Sequence, residues 1–458
     1  MWGRLVVVVV VHLGFQLGLE SPVKAAPGTM STAGTGIPRT EDGGGIKLGP
    51  RSLLHPGFAL LVGGDSNVFW NRKQDVGGIR PAAIVMPVAW LGIGNREVRD
   101  NTLQSPPEAS ERKIDYNLRL TAGYRSYLAG TEDIRKIPRF SVDLNAFVVL
   151  LPGRRFSVNF TEFFSRFGDP RNYDAGVGFN YNRIDHRGSL GLVFRPGGGR
   201  LSLSAAYINE VLFFQAQDIY SGDRLVQGAA TEVKWRILPR SSLVVSYSFA
   251  NSYYLSCDAE VDPDCNEDNN AHRVLGGFRG QIGKRFTLDA LAGFGAGLYY
   301  DDQNGPNFKN FIGTARLAYY PTLRTQIFAQ LDRQFSDSLF GNYFVDAGGR
   351  VGAQHIWRWR MFSEVAITAF ARRYAGLPIP GMESRVQAYI NAPGFVRKDT
   401  IFTLSARVEQ PFGRFFVLGA RYDLIVDKTD FAARYRGGLL DAGGFVKHVA
   451  YLVAAVRF

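Results

Sequence analysis

GGFVKHVAYLVAAVRF, residues Gly443 to Phe458, decides the fold. Read back from its end in steps of two, it gives Phe458, Val456, Ala454, Leu452 and Ala450, one apolar face at strand period. The interleaved row, Arg457, Ala455, Val453 and Tyr451, is mixed. A strand with one wholly apolar face needs an apolar surface to lie against, and the rest of the chain shows which.

The pattern recurs. Phe286, Leu288, Ala290, Ala292, Phe294, Ala296 and Leu298 form an apolar row, interleaved with Arg285, Thr287, Asp289, Leu291, Gly293 and Gly295. Phe402, Leu404, Ala406 and Val408 alternate with Thr403, Ser405, Arg407 and Glu409. From residue 57 onward about eighteen such segments follow one another, and the breaks between them alternate in length. Short turns such as Pro152-Gly153, Pro239-Arg240, Gly283-Lys284 and Pro321-Thr322 take turns with long loops such as 168–180, 255–270 and 375–399. Two polarities per strand and two loop lengths per hairpin predict an all-β protein, a transmembrane antiparallel up-and-down β-barrel of about 18 strands (range 16–20). In a soluble sandwich the apolar row would face a second sheet. Segments that long, feeding such alternating loops, favour lipid on one side and a lumen on the other. The break at 95–114 is long where the alternation wants a short turn, which is the reason for the range.

Residues 1–25 read as a secretory signal, with Arg4 before the apolar run LVVVVVV and a small-residue cleavage site at Val23-Lys24-Ala25. That run is too short to span a bilayer as a helix, which takes about 20 residues. Residues 26–54, rich in Gly, Ser, Thr and Pro, read as a flexible periplasmic lead, and 55–458 as the barrel. The expected location is the bacterial outer membrane. A mean hydropathy of -0.08 fits a barrel, because its two rows average out. The net charge of +12 comes with no basic run or nucleic-acid motif, so it fits a rim or lumen facing anionic lipid or solute, and no nucleic-acid partner is expected.

Charges of both signs fall on the rows opposite the apolar ones. The lumen-facing candidates are Arg285, Asp289, Arg324, Asp332, Arg358, Arg360, Glu364, Arg407, Glu409, Arg421 and Asp423. They read either as a hydrated, charge-selective path or as an ion-pair lattice that fills the barrel. Cys257 and Cys265 share one outer loop, CDAEVDPDC, and in an exported protein they are expected to form a disulfide. The carboxylates of that loop lack the spacing of an EF-hand and read as a solvated acidic loop, so no metal site is expected. His272, Ser252 and Asp268 supply the residue types of a hydrolytic triad, but such residues occur in any polar loop. No catalytic residue and no cofactor is assigned, and the chain is not expected to be an enzyme. Paired aromatics near segment ends, such as Tyr253-Tyr254, Tyr299-Tyr300 and Tyr319-Tyr320, read as interfacial girdles.

The final strand, ending on Phe458, resembles the assembly signal of bacterial outer-membrane barrels. The stretch Gly63 to Trp70, GGDSNVFW, with Arg80-Pro81 opening the next strand and PGGGRLSLSAAY at 196–207, is similar to the outer-membrane β-barrel porin family associated with exopolysaccharide export. That resemblance implies a conduit for a polymer, working with a periplasmic polysaccharide-export protein. The other expected partners are outer-membrane lipid or lipopolysaccharide and the barrel-assembly machinery. The alternatives are a general diffusion porin, and a structural, adhesion or motility-associated barrel with a plugged lumen.

Overall fold

A computed structural model gives the fold, and it describes residues 44–49, 52–70, 78–95, 112–128, 134, 137, 139–168, 182–215, 222–255, 268–299, 307–338, 342–375, 397–429, 433–435, 438–440 and 444–458. One antiparallel sheet holds twenty segments, two of them two-residue extensions, which leaves eighteen wall strands. They are β1 (Leu53–Asp65), β2 (Ala82–Gly94), β3 (Ile114–Tyr124), β4 (Phe140–Leu150), β5 (Phe156–Phe167) and β6 (Arg183–Phe194). Next come β7 (Leu201–Phe214), β8 (Arg224–Leu238), β9 (Ser241–Tyr254), β10 (Asn269–Ile282), β11 (Phe286–Tyr299) and β12 (Phe308–Thr322). The last six are β13 (Thr325–Asp337), β14 (Tyr343–Ile356), β15 (Phe362–Ala375), β16 (Arg397–Phe412), β17 (Phe416–Thr429) and β18 (Val446–Arg457). Each pairs with the next, and β1 pairs with β18 from Gly57↔Arg457 to Asp65↔Val449, so the sheet closes. Closure satisfies the wall's backbone groups internally, as a lipid surround demands.

Across the break at 95–114, β2 and β3 pair directly, from Val88↔Gly123 to Gly94↔Asn117. Asn95 donates its amide hydrogen to Tyr116 O (3.2 Å) and its Nδ2 to Ile114 O (2.6 Å), while its Oδ1 accepts from Tyr116 N (2.9 Å). One asparagine thus ties the end of β2 to the start of β3. The first strand starts earlier than the turn signal at Pro56 suggests. Pro56 lies inside β1, its carbonyl accepting from Phe458 N (3.0 Å), at the flank where β18 ends and no ladder donor is needed.

Which face is the lumen follows from which alternate row is charged and sheltered. On β18 Arg457 and Lys447 are buried while Leu452 of the other row is 68% exposed, so the row of Arg457 and Lys447 faces inside and Leu452, Ala454 and Phe458 face outside. The outward rows, including Phe58, Leu60, Val62, Phe294, Leu331, Val365 and Leu418, make an apolar belt. The chain is a transmembrane β-barrel of the bacterial outer membrane.

One wall is apolar on its inner side too. Ala59, Leu61, Ile84, Met86, Val88, Trp90, Val417, Val453 and Ala455 form a buried cluster across β1, β2, β17 and β18. In it the Trp90 indole covers Gly57, its register partner; a Cβ built on Gly57 would lie 2.1 Å from Trp90 Cζ2. An aromatic laid over a glycine opposite is a recurrent way to fill a bare strand position. Gly57→Ala is expected to lower unfolding stability by about 1–3 kcal/mol through overpacking. Trp90→Leu in the same chain should recover part of the loss, read as the denaturant midpoint of the detergent-folded protein.

Candidate functional site

Two features lie at the extracellular end, the end of the long loops. The first is the seam between β1 and β18. Lys447 Nζ donates to Asp65 Oδ2 (2.5 Å) and to Asn67 O (2.7 Å). Asn67 N donates to Asp65 Oδ1 (2.9 Å), and Asn67 Nδ2 to Val446 O (3.2 Å). Ser66 Oγ accepts from His448 N (2.8 Å), and Ser66 N donates to His448 O (2.9 Å). Beyond them Trp70, held at φ 61°, sits edge-on to Phe445 at 5.1 Å, with Lys447 Nζ 4.4 Å from its ring centre. The stretch GGDSNVFW, one of those that carry the family resemblance, is therefore part of a clasp that holds the first strand to the last.

The second feature is a lap in the wall. β12 and β13 pair from Thr322↔Thr325 only as far as Gly313↔Arg333; among the described residues no further pair joins them. Arg333 Nε donates to Phe311 O (3.0 Å), standing in for the lost ladder. Past this point Phe335, Asp337, Tyr343 and Val345 keep the outward parity of β13 and β14, yet all but Asp337 join a buried cluster with Ala271, Tyr299, Phe308 and Ile312. Those four line the inner side of β10–β12. The outer face of one stretch of wall thus lies against the inner face of another. The Phe308 and Phe335 rings stack at 4.3 Å.

Asp337, at the tip of the lap, meets Arg224 Nη1 at 2.9 Å, Ser252 Oγ at 3.3 Å and Tyr299 Oη at 3.4 Å. The Arg273 guanidinium lies 4.2 Å from the Phe335 ring and donates to Phe335 O (3.2 Å). On the lap's lumen side, Arg372, fully buried, makes a two-pronged pair with Asp346 (2.8 and 2.9 Å) and lies 3.8 Å over Phe344. Arg397 pairs with Asp399 at 2.6 Å beside Asp427. This end of the barrel therefore carries buried, mutually neutralising charges.

Below it the charges are half-exposed. Arg279 bridges Asp289 and Glu232, each at 3.2 Å, and is 22% exposed. Register runs Arg279↔Asp289↔Arg316↔Gln330↔Arg350, so three arginines and one aspartate share a row across β10–β14. The Phe328 ring lies between two of them, 5.2 Å from the Arg316 guanidinium and 5.3 Å from that of Arg350. Arg350 also reaches Glu364 at 3.6 Å. Asp332 accepts from Thr314 Oγ1 (2.6 Å) and Gln330 Nε2 (2.7 Å), Arg421 pairs with Asp423 at 2.6 Å, and Arg407 pairs with Glu409.

Seven of the lumen-facing candidates thus take lumen positions. Arg285, Arg324, Arg358 and Arg360 do not: they lie exposed in the short turns after β10, β12 and β14. Period-two reading carries a strand's phase one residue too far when it runs into a turn. Of the buried charges at this end, Arg224, Asp337, Asp346 and Arg397 were outside the candidate set. Arg333 and Asp337, charges that break the apolar row Ile327, Ala329, Leu331 and Phe335, were the available signal. The paper triad does not assemble. His272 faces outward and bonds Tyr247 Oη (3.0 Å), Ser252 faces Asp337, and Asp268 Oδ1 accepts from Tyr254 N (2.7 Å). Among the described residues no group of three potential metal ligands occurs. Cys257, Cys265 and most of the 375–399 loop lie outside the described residues.

Closed wall, lipid-facing belt and charged lumen define the class: a porin-type outer-membrane barrel. No family model and no curated protein matches the chain. Among solved structures it is similar to OpdK (OccK1) of Pseudomonas aeruginosa with vanillate, at 10% identity and a TM-score of 0.42, covering 88% of this chain and 99% of that one. It is similar to OccK9 (OpdG) of the same organism at 9% and 0.44, covering 89% and 98%. A bacterial polysaccharide outer membrane secretin matches at 11% and 0.33, covering 89% and 98%. The class rests on the barrel's own geometry rather than on these likenesses.

Proposed function

We propose that the chain is a porin-type channel that passes small hydrophilic solutes, anions ahead of cations, through a lumen whose width is set at the extracellular mouth. The half-exposed row Arg279, Asp289, Arg316 and Arg350 carries this reading. Its charges are partly exposed, and within the row three arginines face one aspartate, with Glu232 beside Arg279 and Glu364 beside Arg350, which leaves Arg316 as the most exposed cation. Rings of like charge in a pore select ions of the opposite sign. Polymer export has less support, resting on short stretches of likeness, one of which, GGDSNVFW, takes part in the seam clasp. Recognition of Phe458 by the assembly machinery fits its outward position, with its ring 5.2 Å from Phe415.

The test is conductance of the folded barrel in a planar bilayer under a salt gradient. The wild type should conduct with a reversal potential on the anion side. Arg316→Glu together with Arg350→Glu should move that potential toward cations. A barrel that conducts nothing, whether wild type or loosened at Asp337, would overturn the reading and favour a structural role.

A further inference from the structure

The two ends of the barrel carry charge differently. At the extracellular end the buried arginines face carboxylates: Arg224 with Asp337, Arg372 with Asp346, Arg397 with Asp399. The periplasmic end has no such balance. Its seven short turns read LPGRR (151–155), RPGGGR (195–200), PR (239–240), GKR (283–285), LR (323–324), WRWRM (357–361) and GRF (413–415). Every one carries an arginine or a lysine, four carry two, and none carries an aspartate or a glutamate. All of these cations except Arg195 are exposed. The whole chain has 53 basic and 41 acidic residues, so turns of average composition would hold almost as many carboxylates as cations. The remaining periplasmic connection, between β2 and β3, is of mixed sign in sequence and lies mostly outside the described residues.

Hairpin closure sets the spacing of these charges. Each turn joins two strands, and strands lie about 4.8 Å apart, so neighbouring turns follow one another at about 10 Å around the mouth. That is close to the Debye length of about 8 Å at physiological salt, so their potentials overlap. A rim of one sign concentrates counter-ions at the opening it surrounds. A chloride ion meets one turn at a time. A chain of several phosphates or carboxylates reaches two, and the planar guanidinium fork matches either oxyanion with two parallel hydrogen bonds.

Part of the rim is aimed at the mouth rather than at the membrane. Arg240 Nη1 donates to Gln281 Oε1 (2.9 Å), and Gln281 shares the inward parity of Arg279. Arg236, of the same inward parity as Glu232 on β8, donates from Nη2 to Gly198 O (3.4 Å) in the turn before β7. The membrane lies on the other side of the wall from these groups. Arg155, by contrast, lies over the outward rings of Phe194 (5.4 Å) and Phe156 (5.9 Å).

We infer that the periplasmic rim is a binding ring for polyvalent oxyanions, solutes with several phosphates or carboxylates, which meet the channel from that side. The inference rests on the channel reading above. It adds where the anions are gathered, and that the preferred ones carry several charges.

The folded barrel in a bilayer of neutral lipid tests this, with tripolyphosphate and orthophosphate as probes. Added to one chamber and then to the other, tripolyphosphate should interrupt the single-channel current from one side at a concentration about tenfold lower than from the other, and about tenfold lower than orthophosphate requires. A variant with Arg240→Gln, Lys284→Gln, Arg285→Gln and Arg324→Gln should need about tenfold more tripolyphosphate on that side. Its reversal potential in potassium chloride, set in the lumen by Arg316 and Arg350, should stay on the anion side. The four substitutions lie in exposed turns, so heat-modifiable migration should persist and show that the variant is folded. Equal interruption from both sides, or a variant as sensitive as the wild type, would overturn the inference and leave the channel reading standing. Loss of the block in a bilayer containing phosphatidylglycerol would assign the ring to lipid headgroups and overturn it as well. If the barrel does not conduct, titration calorimetry of the detergent-folded protein with tripolyphosphate decides: binding that the variant loses supports the ring, and no binding overturns it.

Discussion

Asp65→Ala should unfold at a markedly lower denaturant concentration than the wild type. Asp65 is 6% exposed, and so is held close to Lys447, itself 4% exposed. Removing one member of a buried pair leaves the other charge without its partner, a loss of about 3–5 kcal/mol. The loss falls on the seam, where the wall depends on two strands far apart in the chain finding each other. The Asp65 carboxylate also fixes Asn67 N, so the substitution loosens the Asn67 bond to Val446 O as well. Asp65→Asn, which keeps the shape and can still accept from Asn67 N, should lose less. The readout is the midpoint of the folded-to-unfolded band shift in a urea series. Equal stability of Asp65→Ala and wild type would show that the clasp does not hold the seam.

Asp337→Ala should enlarge the conducting path while leaving the rest of the wall closed. Asp337 joins Arg224, Ser252 and Tyr299 on three other strands, and it is the carboxylate that pins the lap's tip. Without it the remaining carboxylate near Arg224 among the described residues is Glu210, at 3.6 Å. A desolvated guanidinium losing its nearest carboxylate costs about 3–5 kcal/mol. The lap should therefore move off the inner wall, and single-channel conductance should rise. Arg224→Ala removes the same pair from the other side and should change conductance in the same direction. Unchanged conductance in both would mean that passage is limited at some other level.

The eighteen strands were legible in the sequence because membrane and lumen impose opposite demands on alternate residues, and rows such as Phe286 to Leu298 meet them without exception. The seven lumen charges were legible for the same reason. The lap was not. Phe335 and Val345 are apolar and of outward parity, which is what lipid requires, but it is also what burial against the barrel's own inner face requires. Parity records that a side chain meets something apolar and is silent on whether that is solvent or protein. The seam clasp was visible as a motif, GGDSNVFW, but its role depends on Lys447, 382 residues away from Asp65, and on register that only closure supplies.

The lap also bears on how the molecule is to be measured. Strand number sets the diameter of a barrel whose strands all share one circumference. Here the perimeter is made of eighteen strands at the periplasmic rim, but at the other rim part of β13 and β14 is tucked behind β10–β12 and adds thickness where it would have added girth. Strand count alone therefore overstates the girth of that rim.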